Sequence, residues 1–121
     1  MNIFALDFNP RQAARWHSDV HVNKMLLESC QMLSTAHWVL GGSAPYKEAY
    51  KNHPCTVWAR ESLSNYKWLV ELADELRIEY SKRSLIKKGI EKVHACSPVV
   101  QYMKDNVPKE MIDKGLTPFA L

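Results

Sequence analysis

Apolar and polar positions follow a helical period along most of the 121-residue chain. From Val20 to Leu40 most side chains are apolar, and from Val57 to Tyr80 apolar residues recur at steps of three and four. This spacing places side chains on one face of an α-helix. Only residues 3–8 fit an extended segment, and one strand cannot make a sheet. The pattern predicts an all-α fold with two long crossing helices, shorter helices and an extended N-terminal segment.

Prolines, glycines and capping residues set the bounds of the predicted helices. The first helical stretch covers residues 10–40, with Asn9 as its N-cap and a break near residues 18–20. The second begins at Pro54 and ends near Ser81, because the residue before a proline avoids helical angles. Shorter helices are predicted over residues 45–51, over residues 84–95, and from residue 97 to before residue 108.

Length and composition are those of an ordinary globular protein. With 46% hydrophobic and 24% charged residues, residues 1–121 are predicted to form a single all-α domain. No apolar run approaches the roughly 20 residues that cross a bilayer, and the first residues do not resemble a signal peptide. Cys30, Cys55 and Cys96 are far apart and form no CxxC pair, which is typical of free thiols in a reducing cytosol. The apolar residues 115–121 are expected to pack on the domain or to continue into further chain.

Positive charge is slightly in excess, with 16 Lys and Arg against 13 Asp and Glu. A net charge of +3 permits binding to phosphates without requiring it. Its distribution is uneven, because five basic residues fall within eleven positions. This cluster is either a phosphate-binding face or a solvated helix face; its members are Lys82, Arg83, Lys87, Lys88 and Lys92.

A polar stripe runs through the otherwise apolar first long helix. Ionisable groups on a buried helix are costly unless they are paired, and clefts are where proteins tolerate them. The stripe is therefore either a functional site or an exposed edge held by a Lys24–Glu28 ion pair. Its members lie at steps of three and four on one face: His17, His21, Lys24, Glu28, Gln31 and Thr35.

The same stripe leaves a metal site open as an alternative. His17 and His21 have the i, i+4 spacing with which two imidazoles can share one ion. Asp19 points to a different face, so a third ligand would have to come from His53 or His37.

A second group of candidate residues surrounds the start of the next long helix. Asn52 and His53 precede Pro54, and a helix N-terminus attracts anions such as phosphate. Arg60 and Asn65 follow, in a mixture of aromatic and guanidinium groups that can stack bases and bind phosphates. The alternative is that the aromatic residues of this segment, Trp58, Tyr66 and Trp68, belong to the hydrophobic core. Cys55, next to Pro54, is expected to be a buried structural thiol.

Three segments carry a resemblance to known proteins: HSDVHVNKMLLESCQMLSTAH, YKNHPCTVWARESLSNYKWL and the late GLTPF. Together they resemble a family of small proteins from tailed bacteriophages. The chain is also similar, more distantly, to phage pyrimidine-dimer DNA glycosylases of the endonuclease V type. In that family a histidine precedes a catalytic glutamate by seven residues on an early helix, as His21 precedes Glu28 here, and residues 53–80 resemble the family's long middle helix.

The resemblance implies a glycosylase and AP lyase acting on damaged or modified pyrimidines in DNA. In the family the N-terminal amine attacks the sugar C1′, a Schiff base forms, and the glutamate assists the elimination that nicks the strand. Glu28 would be the acid/base residue here, with His21 and His53 as further catalytic candidates. Residues expected to hold the substrate are Arg15, His17, Lys24, Asn52, Arg60, Asn65, Lys87 and Lys88. DNA or a nucleotide is the expected partner, no cofactor is expected, and the location would be the cytoplasm of the infected bacterial host.

Two other functions remain open at this point. The chain could be a non-catalytic phage accessory protein that binds a nucleotide or a host protein and so counters host defence. It could also be a metal-dependent hydrolase that uses His17 and His21.

Overall fold

The computed structural model describes residues 2–119 and confirms the all-α prediction. Within that part of the chain there are five helices and no strand. The two longest helices, α2 and α4, cross and pack against each other, and the shorter helices pack around them. The helices are α1 (Pro10–Arg15), α2 (Asp19–Val39), α3 (Pro54–Glu61), α4 (Leu63–Lys88) and α5 (Ser97–Asp105).

The first helical stretch is interrupted, as the sequence predicts. The Asn9 side chain caps α1 by accepting the Gln12 N–H at 3.2 Å, and the helix ends at Arg15. The Ser18 side chain then caps α2 by accepting the His21 N–H at 3.3 Å. Two separate N-caps at this spacing explain why the chain forms two helices here rather than one.

The second long helix is not continuous, and this part of the prediction is wrong. Ser62 has an extended backbone that separates α3 from α4. The Leu63 N–H donates to the Ile112 carbonyl oxygen at 3.1 Å, and the Lys114 N–H donates to Ser62 Oγ at 2.8 Å. A remote segment of the chain therefore satisfies the groups that the break exposes.

Two further helix bounds also differ from the prediction. The separate helix predicted over residues 84–95 does not form, because α4 continues through Ser84 to Lys88 and ends where Gly89 takes a left-handed conformation (φ +69°). Residues 45–51 contain no helix either, since the Ala49 N–H donates to the Thr35 hydroxyl at 3.0 Å. The helix predicted from residue 97 is confirmed as α5.

The hydrophobic core lies between α2 and α4 and is closed by an aromatic cluster at one end. Phe119 packs against Trp58 and Trp68 with ring centroids 5.0 and 4.9 Å apart, and Phe8 lies 5.9 Å from Phe119. The expected packing of the C-terminal segment is thus confirmed as far as residue 119; residues 120–121 lie outside the described part. Fully buried core side chains include Leu26, Leu33, Tyr66, Leu69, Leu72, Leu76 and Val100.

The three cysteines are free, as predicted from their spacing, and all three are buried, which was expected of Cys55 alone. The Cys96 Sγ lies 3.1 Å from the Tyr46 hydroxyl oxygen, which ties the loop after α2 to the start of α5. None of the helices within residues 2–119 has the length and apolar character to cross a membrane.

Candidate functional site

Glu28 lies near the middle of α2, beside the first described residue of the chain. The Asn2 N–H donates to Glu28 Oε1 at 3.2 Å, and the Glu28 side chain is half-buried. The N-terminal segment then runs towards the start of α2, where the Phe4 ring packs on the His21 ring with centroids 4.7 Å apart. The fold therefore brings Asn2, the first described residue, to a carboxylate on the long helix α2.

His21 and Lys24 lie on the same face of α2 as Glu28. Seven residues separate His21 from Glu28, which is about two helical turns. Both His21 and Lys24 are exposed, so they can reach a ligand laid along this edge. His21, Lys24 and Glu28, with Asn2 and Phe4 beside them, form what we call the Glu28 edge.

The two ends of the predicted polar stripe turn inward. His17 is only 3% exposed, and its Nδ1 donates to the Ala13 carbonyl oxygen at 2.6 Å. Burial lowers the pKa of His17, which keeps the ring neutral. Thr35 is also buried, with its hydroxyl between the carbonyl oxygens of Gln31 and Ala49. The accessible part of the stripe is therefore the stretch from His21 to Gln31.

His53 caps the N-terminus of α3, the helix that packs against α2. Its Nδ1 accepts the Cys55 N–H at 3.1 Å, so a neutral His53 ring carries its proton on Nε2 and can donate from there. The side chain is half-buried, while Asn52 just before it is exposed. The cap thus fixes both the position and the tautomer of this imidazole.

Arg60 lies in the last turn of α3 and is half-buried. Its Nη1 is shielded from solvent and has no hydrogen-bond partner within the described residues. Burial lowers the pKa of Arg60, and attraction to Glu48 opposes that shift. A guanidinium with unused donors beside the helix that carries Glu28 can bind an additional anionic group.

Asn65 lies in the interior instead of on an accessible face. Its Nδ2 donates to the Trp58 carbonyl oxygen at 2.9 Å and to the Thr117 hydroxyl at 2.7 Å, while its Oδ1 accepts the Thr117 N–H at 2.9 Å. These bonds join α3, α4 and the C-terminal segment. The geometry of Asn65 therefore favours a structural role.

Arg15, Lys87 and Lys88 are exposed but lie away from the Glu28 edge. Lys87 pairs with Asp19 in the first turn of α2. Nine residues, about two and a half turns, separate Asp19 from Glu28, so they lie on opposite sides of α2. Lys87 and Lys88 thus lie beside Asp19, on the side of α2 opposite Glu28.

Two features of the site were not anticipated from the residue pattern. One is the contact of Asn2 and Phe4 with α2, for which an extended apolar N-terminal segment was the only signal. The other is Arg83, whose guanidinium donates to the carbonyl oxygens of His17 (2.8 Å) and Arg15 (3.1 Å). In the sequence Arg83 is just one member of a basic cluster, so its bridging role could not be distinguished.

The described residues contain no group of three or more His, Cys, Asp or Glu side chains placed to hold a metal ion. In particular, His17 and His21 are not joined there by a third ligand, and His17 Nδ1 is already bonded to the backbone. Of these two histidines, His17 is bonded to the Ala13 carbonyl oxygen and His21 packs against Phe4.

Comparison with known proteins identifies the family. The family model of pyrimidine dimer DNA glycosylases matches residues 1–92, which include α1 to α4 and every predicted site residue. No curated protein and no solved structure matches the chain significantly. Because the family model covers well over half of the sequence, the chain belongs to the pyrimidine dimer DNA glycosylase family.

Proposed function

We propose that the protein is a DNA glycosylase with AP-lyase activity on damaged or modified pyrimidines, with Glu28 as its acid/base residue. Membership of the glycosylase family supports the substrate class. The observation that carries the proposal is the 3.2 Å contact between the Asn2 nitrogen and Glu28 Oε1. This chemistry needs a carboxylate and an α-amine side by side, and removal of Met1 would turn the Asn2 backbone N–H beside Glu28 into that amine.

The proposed nucleophile is the α-amine of Asn2, and the proposal therefore requires removal of Met1, which lies outside the described residues. An α-amine has an ordinary pKa of about 8, so a usable fraction is neutral at pH 7. Its nitrogen attacks C1′ of the target nucleotide, and the pyrimidine leaves with the bonding electron pair and takes up a proton. The sugar ring then opens as the C1′–O4′ bond breaks, which gives a Schiff base between C1′ and the amine.

In this proposal Glu28 serves the steps that move protons next to this amine. Its carboxylate can hold the attacking amine and then take the proton from C2′ of the Schiff base. The electrons of that C–H bond form the C2′–C3′ double bond, and the C3′–O bond to the 3′ phosphate breaks. Strand cleavage by this elimination needs no cofactor.

The remaining residues of the Glu28 edge are suited to holding DNA. Lys24 is exposed one turn before Glu28, so it can contact a backbone phosphate next to the target sugar. His21 is held against Phe4, and His53 can donate from Nε2 on the neighbouring helix. Access to C1′ requires extrusion of the nucleotide from the duplex, so part of the binding energy would be used to unstack the base.

Borohydride trapping tests the proposal directly. Labelled duplexes that carry a thymine dimer or an abasic site are incubated with the protein and reduced, and the covalent adduct is measured on a denaturing gel. We expect an adduct with the protein that begins at Asn2, as checked by mass spectrometry, and none after acetylation of its α-amine. Absence of an adduct on both substrates, with the protein folded, would overturn the proposal.

A further inference from the structure

A cavity of about 200 Å³ lies on the side of α2 opposite Glu28. It is formed where the first turn of α2 meets the last two turns of α4 and the loop that follows. Val22 and Tyr80 give it an apolar wall, while the remaining lining is polar or charged: Asp19, Arg83, Ser84, Lys87, Lys88 and Lys92.

The charges of this cavity are strongly unbalanced. Four cationic side chains and a single carboxylate line it. Arg83 is satisfied by Asp19 at 3.1 Å and Glu79 at 3.0 Å, and Lys87 also pairs with Asp19. Lys88 and Lys92 form no ion pair within residues 2–119, so their charges remain available to an incoming anion.

The walls of the cavity are fixed by the fold. Arg83 Nη1 and Nη2 are bonded to two backbone carbonyl oxygens before α2, which holds the end of α4 against this junction. The Ser84 hydroxyl donates to the Ile90 carbonyl oxygen at 2.8 Å, and the Ser81 hydroxyl donates to the Lys92 carbonyl oxygen at 2.8 Å. The loop that carries Lys92 is therefore folded back onto α4, and the lysines are held around the cavity.

The size of the cavity limits what it can hold. Sites for drug-sized ligands occupy roughly 300–1,000 Å³, so about 200 Å³ suits a phosphate group better than a whole nucleotide. Flexible lysine side chains bind phosphate oxygens as point charges. We propose that this cavity is a second phosphate-binding site, separate from the Glu28 edge, and that it takes a backbone phosphodiester of bound DNA. The choice of DNA over free phosphate rests on the proposed function; phosphate binding itself does not.

NMR titration of ¹⁵N-labelled protein tests the site with two probes, inorganic phosphate and an undamaged duplex. The duplex should in addition shift amides along the Glu28 edge, but with each probe we expect amide shifts at residues 19–22 and 84–92. The variant Lys88→Gln/Lys92→Gln should lose these shifts, whereas the control variant Lys67→Gln/Lys114→Gln, which alters two exposed lysines elsewhere, should keep them. Shifts with phosphate but not with duplex would overturn the assignment to a DNA phosphodiester, and no shift with either probe would overturn the site.

A second measurement separates this inference from the proposed function. In the Lys88→Gln/Lys92→Gln variant, the slope of log affinity for duplex against log salt should decrease by about one, as expected for one lost phosphate contact. Cleavage at subsaturating DNA should fall in proportion to the loss of affinity, because a contact made equally in ground and transition states contributes through binding. Salt dependence that changes in this way in a protein without lyase activity would support the cavity and refute the proposed function. An unchanged slope in an active protein would refute the cavity.

Discussion

Glu28 and Asn65 are both polar residues within long helices, yet the structure uses them in opposite ways. All the hydrogen bonds of Asn65 are made inside the protein, to Trp58 and Thr117. Glu28 is half-buried and lies beside the backbone nitrogen of Asn2 at the beginning of the chain. The partners of Asn65 thus come from the interior, whereas Glu28 has a partner at an accessible edge, and for this reason the proposed function uses Glu28 and assigns Asn65 to the structure.

The strongest test of this contrast is Glu28→Gln. We expect this substitution to reduce strand cleavage by about 10²–10⁴-fold, because a positioned acid/base group contributes that much. Binding to undamaged duplex and the melting temperature should stay close to those of the unmodified protein, since the amide keeps the shape of the carboxylate. Single-turnover cleavage of an abasic duplex measures the effect.

Glu75→Gln is the matched control, because Glu75 is a half-buried carboxylate on α4 that lines a different pocket, with residues 9–11. It should cleave at the rate of the unmodified protein. An equal loss of cleavage rate in Glu28→Gln and Glu75→Gln would show that Glu28 matters no more for cleavage than another half-buried carboxylate.

The substitution Asn65→Ala tests the structural role of Asn65. Removing this amide leaves the Trp58 carbonyl and the Thr117 N–H without their partner, so the free energy of unfolding should fall by roughly 2–3 kcal/mol. Urea denaturation followed by tryptophan fluorescence gives the value. The control, Asn52→Ala at an exposed position, should change it by no more than about 0.5 kcal/mol. Similar losses in the two variants would contradict a structural role specific to Asn65.

A smaller effect is expected from pH, through the buried histidines His17 and His37. Burial lowers the pKa of both from the ordinary value of 6.5, so the folded protein keeps them neutral while the unfolded chain takes up protons. Their contribution to the free energy of unfolding is complete above about pH 6.5 and should decrease as the pH falls from there towards 5. Melting temperatures at several pH values measure this, and the variant His17→Gln/His37→Gln should show a weaker pH dependence. If the melting temperature of the variant depended on pH in the same way, other groups would be the cause of the pH dependence.

The smallest effect is expected at the exposed ion pair of Lys87 and Asp19, in which both side chains are more than half exposed (56% and 54%). Lys87→Gln should change the free energy of unfolding by less than about 1 kcal/mol, because solvent screens such pairs. Urea denaturation beside Lys67→Gln provides the measurement. A loss as large as that of Asn65→Ala would mean that this side of α2 depends on polar contacts as much as the core does.

Local patterns in the sequence were sufficient to predict the helical fold and several of its bounds. Caps such as Asn9 and the proline in α5 act on neighbouring residues, so their effects are visible in the sequence. The break at Ser62 could not be predicted, because it depends on contacts with Ile112 and Lys114, about fifty residues away. The helix wrongly predicted over residues 45–51 has the same origin, since the Thr35 hydroxyl bonds the Ala49 backbone instead.

The candidate site was predictable in part for the same physical reason. Spacing along one helix placed His21, Lys24 and Glu28 on one face, and the structure keeps them together. Spacing could not reveal that His17 turns inward, since its burial depends on Phe4 and on the end of α4. Nor could it separate Lys87 and Lys88 from Glu28, because the packing of α4 on α2 decides which side they occupy.

The aromatic cluster around Phe119 gives the molecule an intrinsic optical reporter. Trp68 Nε1 donates to the Phe8 carbonyl oxygen at 2.8 Å, and Trp58 Nε1 donates to the Thr117 carbonyl oxygen at 3.2 Å. Both indoles therefore contact the segments near the two ends of the described chain, and the segment that reaches Trp68 is the one that carries Asn2 to Glu28. Any displacement of that segment when DNA binds should change the tryptophan emission. Stopped-flow fluorescence can therefore follow the movement of residues 2–8 without an added label.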